Sequence, residues 1–239
     1  GSEGNHMTPT NLAATDITTD TPTNNFCTWN ALRPEQSATL SEGNTYVTGV
    51  TGGSNSQKYH QLGTIVVNKG KWYWEMKVTA SDAVNGNIYI GVGHWDNKNT
   101  THGSTSASSM VVSASSIARG GGTDDNEATV EGSLAGFDQN DILGVALNCD
   151  DEEITFYKNG SAYGTADADY SGLTDMQKDV TPYAAHGGSG ETNNIYLNCG
   201  NPAFSISSGN ADANGYGNFE FAPPSGYYAL CTKNLAKYG

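Results

Sequence analysis

The sequence predicts an all-β domain, and three observations carry that prediction. Only 36% of the 239 residues are hydrophobic, yet 10% are aromatic, so a few large rings must fill the core. Thirty glycines, with many Asn, Ser and Thr, supply turns rather than helix interiors. Short runs alternate apolar and polar residues with the period of two that a half-buried strand requires, and no segment sustains a 3.6-residue period over several turns.

The elements follow in chain order. Residues 1–6, with the His-Met pair that ends the stretch, read as an expression scar, which sets His6 aside as a ligand. Residues 7–25 are Thr, Asn, Asp and Pro without periodicity, an extended arm or linker. Order is expected from Phe26-Cys27-Thr28-Trp29 onward, giving a β-sandwich over 26–235 and a tail at 236–239. In KWYWEMKV (71–78), Trp72, Trp74, Met76 and Val78 face inward and Tyr73, Glu75 and Lys77 outward. NIYIGVGHW (87–95) repeats this with Ile88, Ile90 and Val92. DILGVALNCD (141–150) places Ile142, Val145, Leu147 and Cys149 inward if the phase slips at Gly144, the mark of a bulge. Residues 171–180 have room for a single helical turn. EITFYKNG (153–160) buries Ile154 and Phe156, and NNIYLNCG (193–200) is a further strand.

Between two of these strands stand four acids, Asp150, Asp151, Glu152 and Glu153. Their place makes them a solvated hairpin tip, and Asn159-Gly160 is a second, tighter turn. Oxygen ligands are plentiful there, but EF-hand spacing is absent, so no metal is assigned. Cys27, Cys149, Cys199 and Cys231 contain no CxxC pair; Cys149 and Cys199 fall on the apolar phase of strands, as buried thiols do.

The formal charge is −14, from 11 basic and 25 acidic residues. Such a surface repels nucleic acid and anionic membrane, and no run is long and apolar enough for a transmembrane helix. A Ser-His-Asp hydrolase is not signalled: none of His60, His94, His102 and His186 accompanies a Gly-x-Ser-x-Gly elbow, and the GGSG after His186 reads as a turn. A glycosidase needs paired carboxylates. Glu75, Asp96, Asp150 and Glu153 are the candidates, without a fixed register between any two.

Six stretches in order carry a family resemblance: Gly-Lys-Trp-Tyr-Trp-Glu-Met from 70, Ile-Gly-Val-Gly from 90, Asp-Ile-Leu-Gly-Val-Ala-Leu-Asn from 141, Ile-Thr-Phe-Tyr-Lys-Asn-Gly from 154, Val-Thr-Pro-Tyr-Ala-Ala from 180, and Leu-Asn-Cys-Gly-Asn-Pro-Ala-Phe from 197. Together they resemble the SPRY domain, with Cys199 where the family has an aromatic residue. The resemblance implies a bent antiparallel β-sandwich of concanavalin-like jelly-roll type. It also implies a non-catalytic binding module that works through loops at one end, with no cofactor. The flanks, NNFCTWNAL and ATLSEGNTYVTG before and FEFAPPSGYYALCTKNLA after, are similar to a module in tail and other virion proteins of bacteriophages. That likeness implies a virion location and a partner that is a host surface protein or glycan, or another virion protein. The alternatives are a carbohydrate-binding module, a β-sandwich glycosidase, and a virion scaffold or decoration protein without external ligand.

The expected ligand-binding residues are Tyr59, His60, His94, Trp95, Asp96 and His102, on loops rich in Asn, Ser and Thr and gathered on one surface. Trp95 closes a strand, where it either caps the core or anchors a ligand.

Overall fold

The computed structural model describes residues 20–32, 38–48, 58–79, 88–95, 109–112, 116–120, 128–170, 179–187 and 194–239. Their strands are β1 (Thr39–Ser41), β2 (Tyr46–Thr48), β3 (Lys58–Leu62), β4 (Lys71–Val78), β5 (Ile88–His94), β6 (Ser109–Val112), β7 (Ser116–Gly120), β8 (Ala128–Gly132), β9 (Ile142–Asn148), β10 (Glu153–Lys158), β11 (Ser161–Ala162), β12 (Ala168–Asp169), β13 (Val180–Gly187), β14 (Asn194–Asn198) and β15 (Tyr228–Ala229). One helix follows, α1 (Thr232–Tyr238). One sheet runs β1-β2-β14-β4-β9-β10-β11, with β12 beside β10 and β15 beside β4; the second runs β3-β13-β5-β6-β7-β8. Every pairing is antiparallel except β15 with β4. This is the predicted β-sandwich.

The alternation read in β4 fixes its inner face. Trp72, Trp74, Met76 and Val78 are fully buried, and across the ladder they meet Leu147, Val145 and Leu143 of β9 and Leu197 and Ile195 of β14. Ile88, Ile90 and Val92 of β5 belong to the same core, as do Ile154 and Phe156 of β10. The predicted bulge at Gly144 is absent: the β4–β9 and β9–β10 registers run unbroken through it. The inward set is Leu143, Val145 and Leu147, and Ile142 belongs to the other face. Gly144 is required for a different reason. A Cβ there would lie 2.8 Å from the Tyr73 hydroxyl and 3.3 Å from Tyr157 Cβ, so the two tyrosines close over a strand that is bare at this point.

The outer face of β4 and β9 is also buried, which the alternation did not predict. Tyr73 is 2% exposed and Glu75 0%. The cover is the chain after β14. Phe219 packs edge-on against Tyr73 at 5.2 Å, and Phe221 reaches the Asn159-Gly160 turn. That turn has φ +49° and +78°, the left-handed pair expected of a two-residue hairpin, and a Cβ on Gly160 would strike the Phe221 ring at 2.5 Å. Glu75 fastens the cover. Its carboxylate accepts the backbone N–H groups of Glu220 (3.0 Å) and Phe221 (2.8 Å), the Asn198 amide (3.0 Å) and the Tyr73 hydroxyl (3.3 Å). A second buried carboxylate, Asp212, holds the same segment together through the N–H groups of Asn214, Tyr216 and Ala229 and the Asn234 amide.

The first described residues join this layer. Cys27 donates its N–H to Leu230 O, Thr232 donates to Asn25 O, and Phe26 and Cys231 form an antiparallel bridge. Asn25 N–H and Lys233 N–H reach side-chain oxygens of Thr232 and Asn24. All four cysteines are buried and free, and burial pushes the Cys149 thiol up to about 12. The expected helical turn near 171–180 falls mostly outside the described residues.

Two expectations follow from this packing. Trp74→Ala empties a fully buried site and is expected to cost about 3–5 kcal/mol in urea unfolding. A loss under about 1 kcal/mol would place that ring at the surface instead. Burial lifts the Glu75 carboxyl to about 7, against the four donors that favour its ionised form. A folded value above the unfolded one means that the contribution is complete below the ordinary carboxyl range and is lost as pH rises through about 7. The stability of the parent minus that of Glu75→Gln is therefore expected to fall by on the order of 3 kcal/mol between about pH 5 and pH 8. A difference that rises instead would show that the donors outweigh burial.

Candidate functional site

β5 ends at His94 because the chain turns there, and Trp95 enters the turn. The Trp95 N–H still reaches Asp179 O at 3.3 Å, so the backbone is fixed while the ring stands outward. Trp95 is 47% exposed, whereas Trp29, Trp72 and Trp74, the other three tryptophans of the chain, are fully buried. The His94 and Trp95 rings lie 5.9 Å apart at 44°. Across β13, Val67 bridges Val180, and the Asn68 amide donates to the Asp179 carboxylate at 2.8 Å. Val66, 40% exposed, immediately precedes Val67 in the connection after β3. The end of the sandwich around Asp179 thus presents a half-exposed indole and an exposed valine on a backbone held by ladder bonds. An aromatic anchor on a fixed backbone can bury area against a partner without first being ordered.

The expected single surface is not what the register builds. Tyr59 and His60 pair with His186 and Ala185 of β13, whereas His94 pairs with Val180 at its opposite end. At a rise of about 3.3 Å per residue those positions are about 20 Å apart. The Tyr59-His60 and His94-Trp95 positions therefore belong to opposite ends of one sheet. Asp96 and His102 lie outside the described residues, as does most of the 187–190 turn.

Of the carboxylates singled out for glycoside chemistry, Glu75 and Asp150 are hydrogen-bonded elsewhere, and Asp96 lies outside the described residues. Glu75 lies under the segment after β14 and cannot meet a substrate. Glu153 is half-buried in β10, paired with Asn148 and Asp169. Asp150, Asp151 and Glu152 do lie in the turn that joins β9 to β10, whereas Glu153, expected at the tip, is the first residue of β10. Asp150 accepts Gly70 N–H at 2.9 Å. Asp151 accepts the Asn148 amide at 2.7 Å and faces Lys71 at 3.5 Å, and those two partners hold its carboxyl below the usual range. Among the described residues no three His, Cys, Asp or Glu side chains converge as a metal set, and no helix is long and apolar enough to cross a membrane.

Sequence reasoning included residues up to 235 in the sandwich but missed that the segment after β14 lies over the outer face of β4. The signal for it was the aromatic run Phe219-Glu220-Phe221, which the sequence places beyond the last strand read from alternation.

Comparison with known proteins agrees with this architecture. The chain is similar to the crystal structure of the SPRY domain of human HERC1, with 20% identity, a TM-score of 0.56, and coverage of 71% of this chain and 96% of that one. It is also similar to the TRIM65 PSpry domain (16% identity, TM-score 0.48, 72% and 92% covered) and to stonustoxin (18%, TM-score 0.49, 72% and 28% covered). At such identities the likeness is one of fold. No curated protein matches the sequence. The SPRY domain family model matches residues 71–198, from the first residue of β4 to the last of β14, and the chain belongs to the SPRY domain family.

Proposed function

We propose that this chain is a non-catalytic recognition module that binds a protein partner through the end of the sandwich marked by His94 and Trp95. SPRY domains mediate protein–protein interaction, and the observation that favours this end is the half-exposed indole of Trp95 on a backbone held to β13. Asp96 and His102, which the sequence reading joins to the Trp95 loop, lie outside the described residues. Tyr59 and His60 would serve a separate contact at the far end. The charge of −14 favours a neutral or basic partner and opposes phosphate-rich ones. A virion setting, with a host surface molecule or another virion protein as partner, is supported by the likeness of the flanking stretches alone; the solved structures named above are not phage proteins.

Selection of displayed peptides on the immobilised chain, followed by titration of each binder against parent and Trp95→Ala, tests the reading. The variant is expected to bind about 1–4 kcal/mol more weakly while keeping its melting temperature. Equal binding to both would remove Trp95 from the interface, and a collapsed melting temperature would return the ring to the core.

A further inference from the structure

The two stretches that flank the family-matched residues line an open cleft of about 250 Å³, bordered by Thr21, Asn24 and Phe26 on one side and Gly215, Tyr216 and Lys233 on the other. The volume lies just under the ~300–1,000 Å³ of sites for drug-sized ligands, which suits a single ring or amino acid. Two aromatic walls, Phe26 and Tyr216, provide apolar faces. At Gly215 a side chain would meet nothing within 4 Å, so the wall is set back there. The wall is also fixed. Asn24 accepts Lys233 N–H at 3.1 Å, Asp212 accepts Tyr216 N–H at 3.0 Å, and Phe26 is bridged to Cys231.

Charge selects the ligand class. Lys233 holds its ammonium 5.3 Å from the centre of the Tyr216 ring. Among the described residues no carboxylate stands within ion-pair distance of it, although the chain carries 25 acidic residues and 11 basic ones. A cation over an aromatic face keeps its attraction for an anion, and the surrounding acidic surface opposes any anion that lacks such a contact. We propose that this cleft binds a compact carboxylate whose body has one apolar face. The carboxylate pairs with Lys233, the apolar face packs between Phe26 and Tyr216, and the Thr21 hydroxyl and Asn24 amide border the polar edge. That chemistry is shared by a hexuronic acid and by the free C-terminal residue of a peptide. The site is distinct from the Trp95 surface and stands or falls without it.

The test is calorimetric titration of the whole chain with glucuronate, glucose, N-acetylalanine and N-acetylalanine amide. Both carboxylates are expected to bind and both neutral counterparts to fail. Added salt weakens the carboxylates. Lys233→Gln, an exposed substitution expected to leave the melting temperature unchanged, weakens them about tenfold or more, the loss of one charge-assisted contact. Tyr216→Leu keeps the charge and loses the ring, and is expected to weaken the carboxylate that fits better. Glucuronate binding more tightly than N-acetylalanine assigns the site to acidic sugar, and the reverse order assigns it to peptide C-termini. Absence of binding by either carboxylate to the folded parent overturns the proposal, as does equal binding to parent and Lys233→Gln.

Discussion

Taking a carboxylate out of water costs several kcal/mol unless hydrogen-bond donors replace the solvent. Glu75 is fully buried in the middle of β4 and receives four donors, two from the backbone at Glu220 and Phe221 and two from Asn198 and Tyr73. The arrangement works only if a segment almost 150 residues further along the chain lies across the sheet, because two of the donors belong to it. Several other features depend on that constraint. Gly144 leaves room for Tyr73 and Tyr157, Gly160 leaves room for Phe221, and Phe219 can be buried against Tyr73. The sandwich is therefore covered by a third layer on one side, built from residues beyond those that match the family.

The inner faces of the strands were legible because they are local. Trp72, Trp74 and Met76 alternate within one strand, and no knowledge of neighbours is needed to see it. The outer face was not legible. Tyr73, Glu75 and Lys77 have the polar weight of a solvated face, and what buries Tyr73 and Glu75 is non-local. Ile142 lies on the outer face opposite Lys77 and is buried there, so no bulge is needed to accommodate it. Helix α1 spans only seven residues and its N-cap, Cys231, makes no side-chain cap bond, so neither periodicity nor capping announced it.

The candidate site was legible in part for a related reason. Trp95 could be recognised as a strand-end aromatic, but its relation to Tyr59 depends on strand order. β3 and β5 both run antiparallel to β13 and therefore parallel to each other. Tyr59 stands near the start of one and His94 at the end of the other, which sends their loops to opposite ends. Alternation within a strand carries no information about which strand lies beside it.

The pairing of the first and last described segments has a mechanical consequence. Cys27 with Leu230 and Asn25 with Thr232 form short antiparallel contacts, so the backbone entering Asn25 and the backbone leaving Thr232 lie on the same side of them. Tension applied through the two ends would load these bonds one after another, like a zip, before it reached the ladders of either sheet. The Glu75-fastened layer would peel ahead of the core, so that a modest pull would bare the outer face of β4 while Trp72 and Trp74 stayed packed.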